Sequence, residues 1–396
     1  MQPIEVPTTR SRSSEARLQS GRDRVVIVGG YGAVGKVVAA TLAERGVPVT
    51  IAGRDLRRAQ ELACRHPEVM TARRVDVDQA DELDSVLHGA AVVVMCVERR
   101  NEQVARACLE RGIHVVDISA TPAVLDSIER LDTVAGRAGA TAVLSVGLAP
   151  GLTNVLARWC VARLPSATSV DISILLGLAG DHGPDSARWT MDNLTSRERW
   201  GAGRRRVTLP GFGRRTVHPF PFSDQRTLTR TLGIPVTTRV CFDSAAVTAA
   251  LFGLRATGVL RVLGRLGASA ALASASARLR VGGDRFVIHA RATDSNSDST
   301  STSTSTKDSD GDDATDSNST TDSNGATDSD RRHVAVAVTG RQECRATAVV
   351  TAQVVEQLLR QPPPAGVWHI DQVVEADAFL RGLREYDLTI HDDIEH

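Results

Sequence analysis

Gly30-Tyr31-Gly32-Ala33-Val34-Gly35 is the group of residues whose types and spacing are best suited to chemistry in this chain. A G-x-G-x-x-G string acquires meaning when it follows a buried strand and opens a helix. Here the apolar run 24–29 (RVVIVG) precedes it, and residues 34–45 continue with helical spacing. Gly30 is expected to permit a tight turn and Gly32 to let the backbone approach a diphosphate. Gly35 would let the helix pack on the strand, so that the N–H groups around Ala33 and Val34 face the anion. Those positions together predict a dinucleotide site.

The end of the next strand selects the dinucleotide. A carboxylate there would accept hydrogen bonds from both ribose hydroxyls of NAD, but the chain reads Ala52-Gly53-Arg54-Asp55, with Arg57 and Arg58 following. Arg54 can pair with a 2′-phosphate, so NADP is the expected cofactor. Asp55 belongs to the same corner, with a helix cap as its other reading. Asp76 and Val77 are expected to flank the adenine. Cys96 and Val97 fall where ribose and nicotinamide would lie, with Cys96 read as a packing residue in preference to a nucleophile.

Hydride transfer also needs an acid to protonate the reduced atom. His182, in Asp181-His182-Gly183-Pro184, and Asp224 are the catalytic candidates. His218 lies near Asp224 in the string HPFPFSDQ (218–225), whose two phenylalanines would wall an apolar pocket. Asp117 and Ser119, at the end of the fifth strand, and Thr153 and Asn154, at a helix start, are candidate substrate contacts. No metal site is expected: the six cysteines are scattered without C-x-x-C pairing.

The elements that must position these groups alternate over 24–146. Strands are read at 24–29, 47–52, 75–77, 91–97, 113–118 and 141–146, with helices between them, which predicts an α/β domain with a doubly wound parallel sheet of the Rossmann type. A second α+β domain is expected after it. Within it, 169–178, 286–292 and 333–339 read as strands, 345–361 and 374–384 as helices, and 184–277 as a mixture of helical and irregular segments. The expected division is a disordered N-terminus at 1–22, an NADP-binding domain at 23–150, and a substrate and dimerisation domain at 151–361. A C-terminal segment at 362–396 would return towards the first domain. An Asp/Ser/Thr-rich insert at 293–331 has too little apolar content to offset its ordering entropy and is expected to be disordered.

Composition bounds the partners. With 396 residues and 42% hydrophobic side chains there is material for two cores. The 47 basic and 47 acidic residues cancel, which argues against nucleic acid and leaves a small molecule as partner. Lys36 and Lys307 are the only lysines, so Schiff-base chemistry has little to rest on. No secretory signal is read at the N-terminus. The longest apolar stretches, near 244–254 and 266–277, are too short to span a bilayer, so a cytoplasmic protein is expected.

The strings VVIVGGYGAVGKVVAATLAERG (25–46), AGRDLRRAQELA (52–63), ACLERGIHVVDIS (107–119), GLAPGLTNVLARW (147–159) and GVWHIDQVVEADAFLRGL (366–383) resemble the saccharopine dehydrogenase-like oxidoreductases. The resemblance implies an NADP domain, a second α+β domain with substrate between the two, and a homodimer. Two departures matter. Relatives acting on amino dicarboxylates carry G-x-D-P-G where this chain has Gly147-Leu148-Ala149-Pro150-Gly151, and many have a Gly-Pro-aromatic turn where it has Glu98-Arg99-Arg100-Asn101. The expected activity is therefore hydride transfer between NADP(H) and a C=N or C=O group of a small molecule other than saccharopine. Two alternatives stand beside it: an enoyl-type reductase on a lipid-like or carrier-bound chain with peripheral membrane contact, and a non-catalytic NADP sensor.

Overall fold

Buried β-branched runs and amphipathic helices alternate along residues 24–146, and the chain folds accordingly. The computed structural model describes residues 24–179, 183–196, 203–265, 282–294 and 332–393. Six strands come from the N-terminal part: β1 (Arg24–Val28), β2 (Val49–Gly53), β3 (Met70–Arg74), β4 (Ala90–Met95), β5 (His114–Asp117) and β6 (Thr141–Leu144). Eight follow: β7 (Ser169–Leu176), β8 (Arg205–Leu209), β9 (Gly213–Pro219), β10 (Val236–Phe242), β11 (Arg285–Thr293), β12 (His333–Arg341), β13 (Gly366–His369) and β14 (Thr389–Asp393).

The first sheet has the order β13-β6-β5-β4-β1-β2-β3, and every pairing in it is parallel. Both faces carry helices, which is why Val25, Val26, Ile27, Val92, Val93 and Val94 are all fully buried and their strands read as unbroken apolar runs. The order reverses between β1 and β4. In a doubly wound sheet the crevice at such a switch point, beyond the carboxyl ends of the strands, is where a ligand binds.

The third strand is a correction. It spans Met70–Arg74, not 75–77. As the edge strand it has one neighbour and turns Thr71, Arg73 and Arg74 to solvent, so no apolar run marks it. Val75 and Val77 lie just beyond it, in the core on the other face of the sheet.

The second sheet runs β14-β12-β11-β7-β10-β9-β8, with only β7 and β10 parallel among its pairs. Strands β8, β9 and β10 arise from the stretch read as helical and irregular, and β14 was not anticipated. Arginines at 205, 206, 214, 215 and 239 interrupt the alternation that would have marked the first three as strands. Arg239 is nevertheless 93% buried, because Asp171 on the neighbouring strand receives its guanidinium.

One apolar cluster joins the sheets, running from Val25 and Leu42 through Leu152 and Val155 to Phe286 and Val350. The helix Glu343–Arg360 lies in it, and Glu356 of that helix pairs with Arg45 at the end of the helix Gly35–Glu44. Residues 1–22, 295–331, the segment 266–277 and His182 lie outside the described residues. Thr293, expected at the start of the disordered insert, instead ends β11 opposite His333, and the Asp294 N–H donates to Arg332 O at 3.0 Å. Among the described residues no helix is long and apolar enough to cross a membrane.

Candidate cofactor site and the groups around it

The turn after β1 is built by crowding. Gly29, not Gly30, supplies the left-handed residue, with φ of 79°. The N–H groups of Gly29 and Gly30 both donate to Ala52 O, at 2.8 and 3.3 Å, tying the turn to the end of β2. A Cβ on Gly35 would stand 2.4 Å from Gly29 O, so the helix can seat here only on a glycine. The helix Gly35–Glu44 has no side-chain cap and no acidic residue in its first turn. The N–H groups of Ala33 and Val34 have no protein acceptor among the described residues. A helix start left uncapped in this way, with a bare backbone before it, fits a diphosphate.

Beside the turn, Tyr31 takes a role that spacing does not disclose. Its ring fills the place a Cβ on Gly53 would need, 2.5 Å from the ideal position. Its hydroxyl accepts the Asp55 N–H at 3.0 Å, and the Arg58 guanidinium lies 4.8 Å from the ring centre. Arg54 is exposed at the strand end, free to meet a phosphate. Asp55 is engaged elsewhere: its carboxylate caps the helix Leu56–Ala63 by accepting from Arg58 N at 3.1 Å. Asp76 Oδ1 accepts from Asp78 N at 3.2 Å, while the Val77 side chain is buried in the core and cannot flank a base.

The turn after β4 is held by its own side chains. The Glu98 carboxylate accepts from Ala120 N (3.0 Å), Thr121 N (3.2 Å) and Thr121 Oγ1 (2.6 Å), and so holds the start of the helix Pro122–Glu129. Arg99 pairs with Asp78. Asn101 donates to Asp117 Oδ2 at 2.7 Å and to Ser119 Oγ at 3.2 Å, and Asp117 Oδ1 accepts from Ser119 N at 2.8 Å. All three side chains are buried, and burial raises the Asp117 pKa against these hydrogen bonds. Cys96 sits nearby, its thiol pushed up to about 12 by burial and by Asp117. A thiol raised in this way favours the packing reading over the nucleophile. The Val97 side chain packs against Gly29.

In the second domain the candidates divide. Thr153, Asn154 and Asp224 are all fully buried. Asn154 Oδ1 accepts from Gly151 N at 3.0 Å and its Nδ2 donates to Asp371 at 3.2 Å, so both ends of the amide hold the chain. Asp224 accepts from Thr238 Oγ1 at 2.8 Å, and burial raises its pKa. These three are closed off in this conformation, against the reading of Asp224 as a catalytic candidate and of Thr153 and Asn154 as substrate contacts. His218 is half-buried and stacks on Phe252 with ring centres 4.1 Å apart. Burial, with the nearby Arg204, lowers its pKa. Phe220 and Phe222 close on Trp189 at 5.5 Å each.

A polar seam centred on the buried His369 and Ser145 ties the two domains together, and sequence reasoning missed it because the bonded partners lie at least 100 residues apart. His369, at the end of β13, meets Ser145 through Nδ1 (2.8 Å) and Glu129 through Nε2 (2.6 Å). Arg230, from the helix Ser223–Leu232 of the second domain, pairs with the same Glu129, and Arg226 pairs with Asp126 at 2.8 Å.

Residues 25–143 match the family described as saccharopine dehydrogenase NADP binding domain. These residues are an NADP-binding domain of that family. Among solved structures, the chain is similar to the apo, histidine-tagged saccharopine dehydrogenase (L-Glu forming) of Saccharomyces cerevisiae. The TM-score is 0.58 at 15% identity, covering 94% of this chain and 100% of that one. Identity at that level speaks for the shared fold alone. Two partial likenesses cover 32% of this chain: Pen from Bacillus thuringiensis (TM-score 0.27, 19% identity, 51% of that chain) and a short chain dehydrogenase from Bacillus anthracis (TM-score 0.26, 17% identity, 74% of that chain).

Proposed function

We propose that this chain, whose residues 25–143 are a saccharopine dehydrogenase-type NADP-binding domain, is an oxidoreductase acting on a C=N or C=O group of a small molecule. The observation that carries the proposal is the uncapped helix start behind Gly29–Gly35, with an exposed Arg54 at the adjoining strand end. Bound there, NADPH would supply the hydride. The protein's part is to hold the diphosphate on the Ala33 and Val34 N–H groups, to pair the 2′-phosphate with Arg54, and to keep the strand-end loops in place through Glu98 and Asp117.

Saccharopine itself is a poor fit: Ala149 offers no carboxylate for a substrate ammonium. His218 is the proposed proton donor, since Asp224 is sealed and His182 lies outside the described residues. Its lowered pKa sets the sign of a test. In the reducing direction kcat/KM should rise as pH falls below the ordinary histidine range, and His218→Gln should flatten that limb. An unchanged profile in the variant removes His218 from the role.

The experiment for the reaction class is incubation with NADPH and a panel of imines, ketones and enoyl thioesters, following absorbance of the reduced nicotinamide. Turnover of an imine or ketone supports the proposal. Turnover of the enoyl thioester alone supports a lipid-directed reductase, a reading favoured by Leu254, Val259 and Val262, which are 43%, 43% and 54% exposed on two adjacent helices. Cofactor binding with no turnover supports a sensor, which the sealing of Asp224, Thr153 and Asn154 favours. The resemblance also supports a homodimer, to be checked by sedimentation.

A further inference from the structure

A carboxylate that grips a guanidinium along its edge leaves both faces of that flat cation open for stacking. Asp78 does this to Arg99, whose Nε and Nη2 both donate to Oδ2, with Nε at 2.9 Å. Arg100 stands 3.8 Å from the other carboxylate oxygen. Asp78 lies beyond β3 and Arg99 beyond β4, and in the sheet those strands flank β1 and β2. The pair therefore reaches across the carboxyl ends of the two strands that carry the glycine turn and Arg54. Tethered as it is, the Arg99 side chain is still 52% exposed.

We propose that Arg99, held flat by Asp78, is the platform on which the adenine ring of the dinucleotide stacks. The inference rests on NADP binding at the glycine turn and divides the work there: Arg54 reads the 2′-phosphate, whereas Arg99 reads the base. Stacking on a guanidinium uses its plane and its charge together, which a lysine ammonium would not reproduce. Asp78 acts through Arg99 and is a positioning residue. The hydrogen bond from Arg99, followed by the fields of Arg99, Arg100 and Arg54, holds the Asp78 carboxyl below its ordinary range, so the tether stays charged at neutral pH.

The test is titration calorimetry of the full chain with NADPH, NADH and reduced nicotinamide mononucleotide, which lacks the adenosine half. Arg99→Ala is expected to weaken NADPH and NADH in parallel, by about tenfold, and to leave the mononucleotide unchanged. Arg99→Lys should not rescue the loss, and Asp78→Asn should reproduce part of it for both dinucleotides. Loss confined to NADPH would make Arg99 a phosphate ligand and overturn the stacking role. Equal affinities in variant and wild type would reduce the pair to a surface ion bridge. If the wild type binds neither dinucleotide, the glycine-turn site itself fails, an outcome distinct from either of these.

Discussion

Arg54→Ala should cost NADPH ten- to a hundredfold in affinity while sparing NADH, as expected when a charge-assisted hydrogen bond to a phosphate is lost. Parallel losses for both cofactors would remove Arg54 from the 2′-phosphate. Gly35→Ala should abolish tight dinucleotide binding and lower the melting temperature, because its new Cβ would press on Gly29 O and nothing flexible can yield. Calorimetry and thermal unfolding check both effects. These residues were legible because their roles are local: glycine spacing and one strand-end arginine carry the signal. Tyr31, Asp78 and Asn101 were not, since each acts on a partner at least 16 residues away. Asp224, Thr153 and Asn154 were read as catalytic or substrate-contacting on the strength of residue type, whereas all three side chains are fully buried.

Elements read well where both faces are buried and poorly at edges. β1 and β4 announce themselves as apolar runs, whereas β3, β8 and β14 are edge strands whose outward residues break the pattern. The helices Pro122–Glu129 and Ser223–Leu232 meet across the domain seam, and pH should act on their contact. Burial opposes the charge on Glu129, but hydrogen bonds from His369 and Arg230 hold its carboxyl at about 2, against an ordinary value of 4.5. A pKa depressed in the folded state contributes stability that is present above the unfolded value and lost as pH falls through the folded one. The seam should therefore weaken between about pH 4.5 and pH 2, by an amount on the order of 1–3 kcal/mol after solvent screening. Glu129→Gln should remove that part of the acid transition. A melting curve against pH that is identical in the variant would show the pair to be thermodynamically silent.

At the scale of the molecule, the last 30 described residues serve both sheets. β13 completes the edge of the first beside β6, and β14 completes the edge of the second beside β12. Removing residues 366–393 should therefore destabilise both domains, seen as a lower and broader thermal transition. Loss confined to the second domain would contradict this. The apolar cluster shared by the two sheets further predicts that they unfold together in the intact chain.

β13 also imposes an order on assembly. When a ribosome has released residues 24–146, β6 stands with one flank bare, and its proper neighbour is more than 200 residues from being made. A nascent chain in that condition offers an open ladder of N–H and C=O groups to any other strand in reach. A truncated N-terminal domain produced alone should accordingly clump, and adding a peptide of the β13 sequence in trans should keep it dispersed.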